Sequence, residues 1–222
     1  MILADAAAAI AAPTAHLVMH GDPGDFVSGG LDGSAHDVDI FYTPANSQNF
    51  SAQIVRRVGP SPGQPAMLQF ALGTVTGGTD NTFAVMFFAT DQLGVPIQPG
   101  TYSGAERASF ASPGHPGIDI SFQNRGCNQD TGSFVVDKAV FGADPLGVPI
   151  FISAFSVSFV QHCEGGAPAL IGTFTYDAGI ADSPTVPAPI SSLPLMLSML
   201  IAGVEAARRK AGMGRTERKV NK

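Results

Sequence analysis

The body of this chain alternates apolar and polar residues with period two, and no helical period takes over in it. The clearest run is Phe151-Ile-Ser-Ala-Phe-Ser-Val-Ser-Phe159, in which Phe151, Phe155, Val157 and Phe159 share one parity and Ser156 and Ser158 take the other. Successive side chains of a strand point to opposite faces, so the run predicts a strand with one buried face. Gly132 to Phe141 reads as the strand before it, joined by a turn at Asp144-Pro-Leu-Gly147. After a second turn at Glu164-Gly-Gly-Ala-Pro168, Ala169 to Asp177 closes a three-stranded meander. Earlier strands are predicted at Val38–Thr43, Phe50–Val58, Ala66–Leu72 and Thr82–Thr90. Phe83 to Phe88 is apolar on both parities, which places that strand centrally. Short apolar runs between Gly, Pro, Asn and Asp clusters predict an all-β fold, an antiparallel sandwich or barrel of about 8–10 strands. Two Gly/Pro-rich stretches, Gly59–Gly63 and Ser112–Gly117, read as loops.

Composition agrees with this. The 222 residues include 26 Gly, 17 Pro and 15 Phe, with no Trp. Removing both ends leaves residues 16–181, roughly 165 residues, enough for one domain with a real core.

The ends carry the strongest signals. Asp182-Ser-Pro-Thr-Val-Pro-Ala-Pro189 is followed by an uncharged stretch, Ile190 to Val204, and then by Arg208-Arg209-Lys210. As a helix rising about 1.5 Å per residue, the stretch spans roughly 22 Å, short of a bilayer core of about 30 Å. A short apolar span with a basic stop suits an anchor held only until it is processed. The basic cluster belongs on the cytoplasmic side, with the body outside. Seven of the 12 Lys and Arg lie in the last fifteen residues, which carry about +6, while the preceding residues carry about −12, against a whole-chain charge of −6. A basic tail also suits nucleic acid, but this layout favours a membrane stop, and no nucleic-acid partner is expected. At the front, Ala9-Ile10-Ala11 fits small-x-small cleavage, although no Lys or Arg precedes it and Asp5 interrupts the apolar run. The expected organisation is a degenerate or truncated signal segment (1–15), a β-domain (16–181), a linker with a sorting motif (182–189), an apolar anchor helix (190–207) and a basic cytoplasmic tail (208–222).

Val186-Pro187-Ala188-Pro189, the apolar stretch and the Arg208-Arg209-Lys210 membrane stop resemble a PEP-CTERM sorting signal, although the usual motif has Glu where this chain has Ala188. The resemblance implies an exosortase-like membrane protease as the processing partner, transient anchoring in the membrane, and a final location at the cell surface or outside the cell.

Cys127 and Cys163 are the two cysteines, 36 positions apart. An even count in an exported chain reads as a disulfide, worth roughly 3–4 kcal/mol in the chain-entropy model. Metal ligation and a catalytic thiol beside His162 are the weaker readings. On a strand His162 points away from Cys163 and is badly placed to activate it.

Arg125-Gly-Cys-Asn128, Thr131-Gly-Ser-Phe134, Gln161-His-Cys-Glu-Gly-Gly-Ala-Pro-Ala-Leu170, Pro99-Gly-Thr-Tyr102, Ala105-Glu-Arg107 and Gly24-Asp25 together resemble a motif set of secreted bacterial β-proteins of uncharacterised function. That resemblance implies a compact extracytoplasmic β-domain and supplies no activity.

Little else in the body carries chemistry. Asp22, Asp25, Asp32, Asp37 and Asp39 cluster without a calcium-loop pattern and read as turn residues. His16, His20, His36, His115 and His162 lack metal-site spacing. Glu106 and Glu164 are the body's glutamates, and Glu106 is expected to pair locally with Arg107. No nucleophile elbow, phosphate loop or dinucleotide fingerprint occurs, so no catalytic, cofactor or metal residue is assigned and the chain is read as a non-enzyme. Arg107, Arg125 and His162 are expected to fix loops at the disulfide end, with no deep polar cleft. The expected function is a surface or matrix-associated protein of unknown biochemical activity. The alternative is a carbohydrate-binding module using Tyr42, Tyr102, Asn46, Gln48 and Asn49 on an extracellular polysaccharide. A hydrolase is the weaker third reading.

Overall fold

The computed structural model of the chain describes residues 11–73 and 82–180. The chain divides into two units, Met1–Ala181 and Asp182–Lys222, and every described residue belongs to the first. The linker, its sorting motif, the anchor helix and the basic tail lie outside the described residues. Among the described residues no helix is long and apolar enough to cross a membrane.

The fold is all-β. Its strands are β1 (Thr14–Gly21), β2 (His36–Tyr42), β3 (Asn49–Val58), β4 (Gln64–Gly73), β5 (Ala84–Ala89), β6 (Gly100–Arg107), β7 (Gly117–Phe122), β8 (Asp130–Ala143), β9 (Pro149–Cys163) and β10 (Leu170–Asp177). They form one sheet in the order β2-β1-β10-β9-β8-β6-β7-β5-β4-β3. The predicted meander is present, with Phe134 opposite Phe159 and Val157 opposite Phe174. Asp144 closes its first turn by accepting the backbone N–H of Leu146 and Val148. β5 is an interior strand between β4 and β7, as its two-sided apolar pattern requires.

The sheet rolls into a nearly closed barrel. Phe70 on β4 stacks on Phe155 of β9 at 5.3 Å and meets Phe174 of β10 edge-on at 4.8 Å. Phe88 on β5 meets Phe134 of β8 at 5.5 Å. These strands are far apart in sheet order, so the rings can meet only if the two halves face each other. Each of the five phenylalanines is fully buried and contributes roughly 1.5–3 kcal/mol through area removed from water. Gly172 allows one close approach: a Cβ there would lie 2.5 Å from both the Phe159 ring and the Val18 carbonyl.

The alternation along the chain does not predict β1, β6 or β7. β1 begins at Thr14, inside the segment read as export signal. Its outer face carries Val18 between His16 and His20, which blurs the alternation. β6 has a register shift between Ser103 and Ala105, so Tyr102 and Ala105 are both buried although their parities differ. β7 places a buried acid, Asp119, between two core isoleucines.

Candidate functional site: the disulfide end

Cys127 and Cys163 form a disulfide with a Cα–Cα distance of 5.1 Å, within the usual range for such bridges. Two tight turns bring them together. Gln123 and Asn124 both have positive φ, and Phe122 and Arg125 exchange backbone hydrogen bonds around them. That is a two-residue hairpin turn, which delivers Cys127 to the sheet end. Glu164 (φ 54°) turns the chain just after Cys163. Its backbone N–H donates to Gln129 O, and its carboxylate accepts the N–H of Asn128 at 2.6 Å. The disulfide, the Glu164 turn and the 127–129 loop are thus tied at three points.

The arginines and His162 fix loops here as expected. Arg125 donates from Nε to Val27 O and from Nη2 to Ser28 O, both at 3.1 Å, holding the loop after β1. Gly29, at φ +99°, lies under that guanidinium, where a Cβ would sit 3.0 Å from Nη2. Arg107 donates from Nε to Asp119 at 3.1 Å and from Nη1 to Asn128 O at 3.2 Å. His162 Nδ1 donates to Pro168 O. The expected Glu106–Arg107 pair does not form, because neighbours on a strand point apart. Glu106 instead accepts the Ser112 N–H, which holds its carboxyl below the usual range, and lies 3.6 Å from His115.

Three further polar residues converge beneath the disulfide. Gln161 is 1% exposed and hydrogen-bonds both backbone groups of Ile120. It also presents Nε2 to the Cys127 sulfur at 3.5 Å. Asp119 is buried, and desolvation raises its carboxyl above the ordinary range despite the Arg107 guanidinium. Asp130 lies opposite Cys163 in the β8–β9 ladder and is 3% exposed, and neither carboxyl oxygen has a hydrogen-bond partner. Burial, with Asp119 and Glu164 adding like-charge repulsion against the attraction of Arg107, pushes its pKa up to about 8. At neutral pH Asp130 is therefore a protonated acid. A carboxyl oxygen of Asp130 and both sulfurs lie within 4.8 Å of one another. The sulfurs are bonded to each other, so they offer no thiolate to a metal.

Arg107 separates two clefts. One, of about 370 Å³, is lined by Phe83, Val85, Phe87, Asp119 and Asn124 among others. The second, of about 270 Å³, includes Glu106, Asn128, Gln129, Asp130 and Thr131. Phe110 forms part of its rim, 74% exposed, with the Arg107 guanidinium 5.2 Å above its ring.

A larger groove of about 590 Å³ runs over the outer face of β1, β2, β8, β9 and β10. Val18, Val135, Val160 and Ile171 form its floor, with Ser133, Ser158 and Thr173 between them and His20, Asp37 and Asp39 at one side. Histidines that look scattered in sequence pair here with the early acids: His16 with Asp39 and His20 with Asp37, each at 2.7 Å. Of the early acids expected in turns, Asp25 and Asp32 do cap local turns, accepting the Ser28 and Ser34 N–H. Asp22 instead reaches the distant Ala169 N–H, and Asp37 and Asp39 lie on β2, where they pair with the histidines.

The tyrosines proposed as a glycan platform are interior residues. Tyr42 is 2% exposed and donates its hydroxyl to Thr82 O at 2.6 Å, and Tyr102 stacks on Phe134 at 4.8 Å. Neither can stack on a sugar. Asn46 caps the turn after β2, accepting the Thr43 N–H and donating to Phe41 O.

The sorting motif Val186–Pro189 and the membrane stop Arg208–Lys210 lie outside the described residues. Sequence reasoning missed Asp119, Asp130 and Gln161 as members of the site. A signal was present in each: an acid between isoleucines in Gly117–Phe122, an acid three residues after a cysteine, and an amide on the apolar parity of β9. No family model matches the chain, and no curated protein or solved structure shows significant similarity to it.

Proposed function

We propose that this is an exported, cell-surface or matrix-associated protein whose β-domain is a stapled structural module delivered by a PEP-CTERM-like tail. The order of Val186–Pro189, the uncharged Ile190–Val204 and Arg208-Arg209-Lys210 carries this reading. The Cys127–Cys163 bridge supports it, because disulfides persist in oxidising compartments and are rare in the cytosol. The clamps of Arg107, Arg125 and Glu164 on loop backbone also support a stabilising role for this end of the domain. An exosortase-like membrane protease is the processing partner, and residues 190–207 hold the chain in the membrane until cleavage. Protease shaving of intact host cells tests the reading. Digestion of the β-domain without lysis agrees with it, and digestion only after lysis overturns it.

The outer-face groove favours a second reading, a carbohydrate-binding module. Hydroxyls of Ser133, Ser158 and Thr173 beside the His20–Asp37 pair offer both donors and acceptors to a sugar. A glycan array with the wild type and with Asp37→Ala separates the readings. Binding that disappears in the variant supports the module, and silence leaves the structural reading.

A further inference from the structure

Asp130 is the least explained group in the molecule. A structural bridge needs no buried acid beside it, and leaving a buried polar group without partners costs roughly 1–3 kcal/mol. The fold nevertheless keeps Asp130 unpaired and beside both sulfurs. It also aims the Gln161 amide at one of them, Cys127. Because Gln161 Oε1 accepts the Ile120 N–H and Nε2 donates to Ile120 O, the amide's orientation is fixed by its own hydrogen bonds. The sulfurs themselves are unequal: Cys127 is 3% exposed, while Cys163 is only partly buried.

We propose that Cys127–Cys163 is an exchange-competent disulfide, attacked at Cys163 by an external dithiol, with Asp130 giving its proton to the departing Cys127 sulfur. One thiolate of the dithiol bonds to Cys163 Sγ, and the Cys127–Cys163 bond breaks. Its electron pair leaves on Cys127, where Gln161 donates a hydrogen bond and Asp130 supplies a proton. The second thiol of the reductant then attacks the mixed disulfide and releases Cys163, which takes up that thiol's proton. The dithiol is oxidised to a disulfide, the two cysteines are reduced to thiols, and Asp130 regains a proton from solvent through its cleft.

The charged groups facing Asp130 fit this role. Asp119 on β7 and Glu164 after β9 oppose its ionisation, Arg107 on β6 favours it, and Glu106 on β6 lines the same cleft. The balance keeps a proton on the carboxyl at neutral pH, as a donor to a leaving thiolate requires. General acid assistance of this kind is worth roughly 10²–10⁴-fold. A bridge cleaved with assistance still stabilises the fold while it is closed, and the inference does not depend on the export reading.

Two measurements on the wild-type protein test it, and a variant adds a third. Glutathione, a monothiol, should leave a mixed disulfide on Cys163 with Cys127 free for alkylation, read by peptide mass spectrometry. An adduct mainly on Cys127, or equally on both, overturns the proposal. Reduction by dithiothreitol, with rates divided by its thiolate fraction, should be level below about pH 8 and fall above it as Asp130 loses its proton. A corrected rate that stays flat from pH 6 to 10 overturns it. Asp130→Asn, with folding checked by circular dichroism, should be reduced at least about ten-fold more slowly at pH 7 and show no inflection. An unchanged rate would make the bridge an unassisted staple. If the variant does not fold, the two wild-type measurements decide.

Discussion

Gln161 on β9 completes the hydrogen bonding of Ile120 on β7, although the two strands are not neighbours in the sheet. Its Oε1 accepts the Ile120 N–H at 2.8 Å, and its Nε2 donates to Ile120 O at 3.0 Å. β6 runs beside β7 only at Glu106–Gly117 and Arg107–Ile118, with Ala108 N donating to Ile118 O, before the chain turns away. Ile120, two residues on, therefore faces a gap in the ladder. A backbone N–H and C=O left unpaired there would each be costly, and one primary amide satisfies both.

Gln161→Leu leaves both Ile120 groups buried without partners. It should destabilise the domain by roughly 2–4 kcal/mol, measured by urea denaturation. Gln161→Glu, kept protonated by the same burial, retains an acceptor for the N–H and a hydroxyl donor for the C=O, and should cost less than the leucine variant.

Removing the bridge with Cys127→Ala and Cys163→Ala together should lower the unfolding free energy by about 3–4 kcal/mol in the chain-entropy model. The comparison is a denaturant midpoint against the oxidised wild type. Reducing the wild type should give a similar shift.

The pH dependence of stability should carry the signature of Asp130. Its carboxyl titrates at about 8 in the folded protein and near 4 in an unfolded chain. Between those values the folded state holds a proton that the unfolded state has lost. This contribution is therefore fully present below about pH 4, falls as pH rises, and is lost above about pH 8. Asp119, also raised by burial, acts in the same direction. The lowered carboxyls of Asp32 and Glu106 act in the opposite sense at low pH. Asp130→Asn should flatten the melting temperature between pH 5 and 9 and melt above the wild type at pH 9.

Arg125→Lys should cost about 1–2 kcal/mol and loosen the loop after β1, because one ammonium cannot reproduce the fixed fork that reaches Val27 O and Ser28 O. Hydrogen exchange at residues 25–30 would read the local effect.

Strands that obey a strict alternation are readable from sequence, and those that break it are not. β10 keeps one apolar parity and is recovered closely. β9 is recovered as a strand over Pro149–Cys163, but its buried parity changes between Ala154 and Phe155, so Ile152 is buried and Phe151, expected on the inner face, is 36% exposed. β6 loses its pattern at a bulge, β7 buries an acid on its outer face, and β1 follows an Ala-rich stretch that reads as export signal. The loop-fixing roles of Arg107 and Arg125 are legible, because a guanidinium's planar donors satisfy loop carbonyls and carboxylates well. The convergence of Asp119, Asp130 and Gln161 under the disulfide is not, because it depends on tertiary pairing that no local pattern records: β8 lies beside β9, and β7 reaches them only where β6 turns away. The interior placement of Tyr42 and Tyr102 has the same origin, since a tyrosine on a strand is equally compatible with either face until the partners are known.

The most direct test of the export account is the intact mass of the protein purified from its host envelope or medium, taken without reduction after alkylation. The account predicts a chain that has lost Arg208–Lys222, with Cys127 and Cys163 unalkylated. A cytosolic chain that retains Arg208–Lys222 and carries two alkylated cysteines would contradict it.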